Sequence, residues 1–87
     1  MHAVVIDVTF DDLSAAKAEL GQLVPQVSAA PGFVSGYWIA LSQDKGTSVV
    51  VFESEDAARA LVQTVQGAPA EAVTVDRVEF GEVLAHA

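Results

Sequence analysis

The period of the hydrophobic pattern in this 87-residue chain switches from two to helical and back, twice over. In "HAVVIDVTF", His2 to Phe10, alternate residues share a side. Val4, Ile6, Val8 and Phe10 point one way, and Ala3, Val5, Asp7 and Thr9 the other, which predicts a strand with one strongly apolar face. Asp11 to Ala30 follows, with Leu13, Ala16, Leu20, Leu23, Val24 and Val27 at helical spacing. Asp11 or Asp12 is placed to cap that helix. Pro25 lacks an N–H and crowds the carbonyl of Gly21, which predicts a kink or an early end. Pro31-Gly32 stops the element. Phe33–Ser42 and Thr47–Ser54 read as strands around "QDKG", with Gly46 available for a turn. Ser54 caps a second helix with Glu55 and Asp56 in its first turn and a buried stripe of Ala57, Ala60, Leu61 and Val65; Gly67 and Pro69 end it. A last strand is predicted from Val73 to about Ala85, broken near Gly81.

The order β-α-β-β-α-β is the split βαβ of a ferredoxin-like α+β fold, a single domain spanning 1–87. Right-handed crossovers give one antiparallel four-stranded sheet with both helices on one face. A chain this short buries only about 60% of its unfolded surface, yet 52% of its residues are hydrophobic. Two helices cover one sheet face, while the third strand is apolar on both: Val49 and Val51 oppose Val50 and Phe52. The uncovered face calls for a partner, and a second copy across a two-fold axis, a homodimer, meets the need.

The hairpin register decides which side chains share a face. If Ser42 opposes Thr47, Tyr37 lies opposite Phe52, Ile39 opposite Val50, and Trp38 opposite Val51. This register predicts a helix-side ligand-binding cleft lined by Tyr37, Phe52, Ile39 and Val50. Trp38 then joins Val49, Val51 and Val5 in the dimer interface, where Trp is enriched.

Composition narrows the function classes. The chain has no cysteine, which removes disulfides, thiolate nucleophiles and zinc–thiolate sites and suits a cytoplasmic setting. Met1-His2-Ala3 leads into the first strand with no basic n-region, so no signal peptide is expected. No apolar stretch approaches the roughly 20 residues that span a bilayer, so no membrane role is expected. Net charge is −8, and only Lys17, Lys45, Arg59 and Arg77 are basic. Nucleic acid is therefore not an expected partner, and anionic lipid is repelled. His2 and His86 stand at the two ends; two histidines without a carboxylate make a poor metal site, and no metal is expected. Asp7 is a candidate base if buried, or else the ion-pair partner of Arg77 on the last strand. Ser35, Ser42 and Ser48 have no histidine within reach, so no triad is readable, and no residue is assigned as catalytic.

"PGFVSGYW", a short hairpin and "VVVFESEDAARAL" together resemble the antibiotic-biosynthesis-monooxygenase-like family over nearly the whole chain. The specific parts are Pro31-Gly32-Phe33 and the run from Phe52 to Asp56. The resemblance implies a dimeric α/β barrel with a cleft between helices and sheet. It includes cofactor-free oxygenases of polyketide quinols and heme-degrading oxygenases. The heme-degrading branch has Trp where Phe52 stands, an Asn on the first strand and a His on the second helix; this sequence has no Asn, and its histidines are terminal. The quinol-oxidising branch uses Asn, Trp, Tyr and Arg groups. The implied activity is a cofactor-independent oxidation of an aromatic or quinol substrate, which itself reduces O₂, with no cofactor. The rival is a non-catalytic homodimer that binds a small apolar molecule.

Overall fold

In the computed structural model, which describes residues 1–67 and 73–87, the alternating segments pair into one sheet. Its strands are β1 (His2–Phe10), β2 (Phe33–Ala40), β3 (Lys45–Phe52) and β4 (Val73–Glu82). All pairs are antiparallel, in the spatial order β2-β3-β1-β4. Helices α1 (Leu13–Ser28) and α2 (Glu55–Gly67) complete the β-α-β-β-α-β order of the ferredoxin-like fold. Pro69 lies outside the described residues.

The helix starts follow from local chemistry. Asp12 caps α1, its carboxylate accepting from the Ser14 N–H at 3.0 Å. Ser54 caps α2, its hydroxyl accepting from the Ala57 N–H at 3.2 Å, with Glu55 and Asp56 in the first turn, where the helix dipole favours carboxylates. Pro25 does not end α1 early: the helix runs through it to Ser28. Val27, in the turn after the proline, is buried against the core, and that burial outweighs the one missing backbone bond. Pro25 itself is exposed, so its ring displaces no packing.

The core lies between the helices and one sheet face. Val4, Ile6, Val50 and Phe52 from the sheet meet Val27 of α1 and Ala58 of α2. The buried stripe of α2 thus centres on Ala58, which is fully buried, and Ala60 is exposed. Phe52 is 1% exposed and meets Phe33 edge-on at a centroid distance of 6.2 Å, a packing that suits the ring quadrupoles. The predicted break in the last strand also moves: β4 continues through Gly81, and its irregularity lies between Val75 and Arg77, where Asp76 is the extra residue.

The β2–β3 register differs from the expected one. Tyr37 pairs with Val49, Trp38 with Ser48 and Ile39 with Thr47. The connection spans Leu41 to Asp44 rather than centring on Asp44-Lys45. It is closed by Leu41 N–H to Lys45 O at 2.9 Å, and by the Ser42 hydroxyl, which donates to Asp44 and accepts from the Lys45 N–H. Phe10 N–H also bonds the Asp44 carbonyl at 2.7 Å, pinning the loop to β1. Gly46 is not a turn residue but a buried strand residue. The shift is an odd number of positions, so every side chain of β2 changes face relative to β3.

Candidate functional site

Four rows cross the helix side of the sheet. One runs Trp38–Ser48–Ile6–Val78 and another Gly36–Val50–Val4–Phe80. The first borders a cavity of about 1160 Å³ between the sheet and both helices. Its floor includes Ile6, Val8 and Phe10; its walls are Leu13, Ala16 and Leu20 of α1 and Ala57, Leu61 and Val65 of α2. The apolar stripe of α1 thus faces open space more than it packs: only Ala16 and Val27 are buried, and Leu23 is 40% exposed. The volume is about that of sites for drug-sized ligands, which are mostly apolar with few polar groups.

Within that lining the polar groups are sorted by depth. Lys17, Gln22 and Gln26 of α1 and Glu53 and Asp56 near the start of α2 are exposed and stand at its edge. Ser48 is the buried one, 6% exposed, in mid-sheet beside Trp38. The residue also borders the cavity. Thr64 also borders the space, but its hydroxyl donates to the Ala60 carbonyl at 2.9 Å within α2.

The structure rearranges the expected cleft residues. Phe52 and Val50 do face the helices; Phe52 borders the cavity, and Val50 lies in the core, 1% exposed. Tyr37 and Ile39 do not: their partners Val49 and Thr47 put both side chains on the uncovered face, where they are 65% and 45% exposed. Ile39 touches the cavity boundary, but from a strand position whose side chain points away. Trp38, expected in the interface, instead packs against the core and borders the cavity. The cause is the turn, where Leu41 and Lys45 close around three residues, Ser42 to Asp44, instead of the even number expected, which offsets β2 by an odd step. Trp38 and Ser48 are the cavity residues that sequence reasoning missed. A signal for the first was present: Gly36 stands two residues before Trp38, on the same face, and an aromatic side chain often covers a strand glycine.

The uncovered face carries Val5, Val49 and Val51 as expected, with Tyr37 and Ile39 beside them. One row reads Tyr37–Val49–Val5–Glu79 and the next Ile39–Thr47–Asp7–Arg77. Asp7 and Arg77 are strand neighbours, but the guanidinium bonds Glu79 at 2.5 Å. Hydrogen bonding and charge from Glu79 raise the Arg77 pKa above its usual value, with Asp7 a minor contributor. Asp7 itself accepts from the Thr47 hydroxyl at 2.9 Å. His2 pairs with Phe52 and Glu82, its Nδ1 buried without a partner, and His86 lies beyond β4, exposed. Among the described residues no three His, Asp or Glu side chains gather as a metal site. No described helix is long and apolar enough to cross a membrane.

No family model and no curated protein matches the sequence. Solved structures do match. The cofactor-independent oxygenase SnoaB of Streptomyces nogalater superposes with a TM-score of 0.77 at 11% identity, covering 98% of this chain and 94% of that one. A Streptomyces coelicolor monooxygenase in complex with the ligand nanaomycin D gives 0.59 at 17% identity, covering 98% and 92%. The heme-degrader MhuD of Mycobacterium tuberculosis, with two hemes bound in its active site, gives 0.54 at 20% identity, covering 97% and 98%. The chain therefore has the fold of the antibiotic-biosynthesis-monooxygenase-like proteins.

Proposed function

We propose that this chain is a monooxygenase-like protein that takes a small aromatic molecule into the cleft between its helices and sheet. The observation that carries this reading is the cavity of about 1160 Å³, largely apolar on its floor and walls, with Trp38 at one side. Half-buried leucines that line such a space gain about 25 cal/mol for each Å² a ligand removes from water. In this reading the substrate, such as a quinol, supplies its own electrons to O₂. The protein then contributes orientation and exclusion of water. Likeness in fold to a cofactor-independent oxygenase supports that chemistry.

The assembly belongs to the same proposal. Val5, Val49, Val51, Tyr37 and Ile39 form an apolar stripe on the face without helices, and a second copy packed sheet to sheet covers it.

A specific observation favours the rival reading, a homodimer that binds without turnover: the sheet residues of the lining include no ionisable base, and the charged residues Lys17, Glu19, Glu53 and Asp56 stand on the helices and just before α2. Oxygen uptake separates the two. With a panel of naphthohydroquinones and larger quinols, an oxygenase consumes O₂ faster than the uncatalysed background, and the rate saturates with substrate. Thermal stabilisation by the same compounds without added O₂ uptake leaves the binding function and removes the catalytic one. Neither effect removes the cleft reading.

A further inference from the structure

We propose that the first half of α1, residues 13–20, is a lid over the cavity that swings on a hinge between Gly21 and Pro25; this rests on the reading of the cavity as a ligand cleft. The two hinge residues stand four apart, the spacing of one helical hydrogen bond. Pro25 has no N–H, so the Gly21 carbonyl lacks the donor that would close that turn, and the proline ring crowds the same carbonyl. Glycine is itself among the poorest residues for a helix interior. Packing requires neither. A Cβ on Gly21 would meet nothing within 4 Å, and Pro25 is exposed. Two helix-weakening residues thus fall on one turn that gains no contact from them.

The two halves that this turn joins are held differently. After it, Val27 belongs to the core cluster, and the Pro25 carbonyl accepts from the Ala29 N–H at 3.2 Å and from the Ser28 hydroxyl at 3.1 Å, which fixes the helix end. Before it, Ala16 is the one buried residue of α1, and it lies outside that cluster. Leu13 and Leu20 are half-buried and border the cavity instead of filling it. Asp11 and Asp12 tether this half to Phe10, whose N–H is bonded to the Asp44 carbonyl at 2.7 Å. The moving half thus hangs between a two-residue tether and a weak turn. A ligand in a cleft of this kind is mostly covered once bound, so it enters and leaves when the lid lifts. Apolar surface beneath Leu13 and Leu20 then holds the lid down.

The test uses N-phenyl-1-naphthylamine, a neutral apolar probe whose emission rises out of water. It is mixed by stopped flow with the natural chain and with a chain carrying both Gly21→Ala and Pro25→Ala. The two changes return a backbone donor to the turn and place good helix formers there. Association and dissociation rate constants are both expected to fall roughly tenfold, while Kd stays within about threefold, because a gate slows entry and exit alike. On the natural chain, the amide hydrogens of Gln22, Leu23 and Val24, whose helical bonds cross the hinge, exchange faster than those of Lys17 and Leu20, and bound probe slows them. Rates unchanged in the double variant, or a Kd that moves by the full change in one rate, overturn the hinge and leave the cleft standing. Even exchange along α1 of the natural chain, a measurement that needs no variant to fold, overturns it as well. If the probe does not bind the natural chain, the cleft reading fails and this inference with it.

Discussion

Trp38 lies across Gly36. A Cβ built on the glycine would stand 2.8 Å from Trp38 Cη2 and 2.9 Å from Cζ3, closer than such atoms come in folded proteins. The two residues are two apart on β2, so they share the helix-facing side, and the missing side chain is the space the indole occupies. Gly36→Ala is thus expected to push the indole toward the cavity or solvent. Overpacking of this kind costs about 1–3 kcal/mol. Emission of the single tryptophan should move to longer wavelength, and aromatic probes should bind more weakly. An unchanged emission maximum together with an unchanged melting temperature would show that the ring does not rest there.

A second close approach sets the position of β3. Gly46 is buried, and a Cβ there would overlap the Phe10 ring and lie 2.9 Å from the Ile39 carbonyl oxygen. The ring is a core side chain, 8% exposed, and the carbonyl belongs to the paired strand, so neither moves freely. Gly46→Ala should cost about 2–3 kcal/mol and lower the melting temperature by about 10–20 °C, since 1 kcal/mol corresponds to roughly 4–8 °C in a domain of this size. A change under about 3 °C, measured by circular dichroism, would contradict this packing.

Gly46 also explains what was legible in the sequence. Periodicity alone locates the six elements, because Val4, Ile6 and Phe10, or Leu13, Ala16 and Leu20, repeat at spacings only one secondary structure satisfies. The helix caps are equally local. The hairpin register is not local. Gly46 reads as a turn glycine beside Asp44-Lys45, yet its absent side chain serves Phe10, a residue 36 positions earlier. The loop is instead built by the hydroxyl of Ser42 with Asp44 and Lys45. Taking an even-numbered turn where Leu41 and Lys45 close around three residues shifts the register by three and exchanges the faces of Tyr37 and Trp38. The fold survives that error, because both faces of β2 carry apolar residues, while the predicted cleft does not. Ser48 had no signature beyond its position in a strand.

The fold is shared with a heme-degrader, so heme is a direct comparison. This sequence has no Asn, and its histidines are His2 and His86. His2 is at the start of β1 and His86 beyond β4, and neither borders the cavity. Hemin titrated into the protein is expected to give no sharp Soret band of an axial-histidine complex at one equivalent. Weak, unsaturated changes are consistent with hemin lying on apolar surface. A one-to-one complex with that spectrum, lost in His2→Ala, would place a heme site at the N-terminal end of β1.

The uncovered sheet face gives the sharpest test of assembly. Tyr37, Val49 and Val5 follow one another across three strands, with Val51 and Ile39 in the adjacent rows. Each large apolar side chain taken out of water contributes roughly 1.5–3 kcal/mol. Five per chain, counted on two chains and reduced because Val49 and Val51 are already half-buried, supply on the order of 10 kcal/mol. Association costs about 4–15 kcal/mol, so a dimer formed this way has a narrow margin. A carboxylate in the middle of the stripe is desolvated there and sits close to its own symmetry mate, which costs several kcal/mol. Val49→Asp should therefore convert a dimer to a monomer, whereas Gln63→Asp, at an exposed position of α2, should not. Tyr37→Ala should weaken the dimer, because the ring now assigned to this face is 65% exposed in the single chain. Light scattering at micromolar concentration reads all three. A monomeric natural chain, or a dimer indifferent to Val49→Asp, would mean that the two sheets do not face each other.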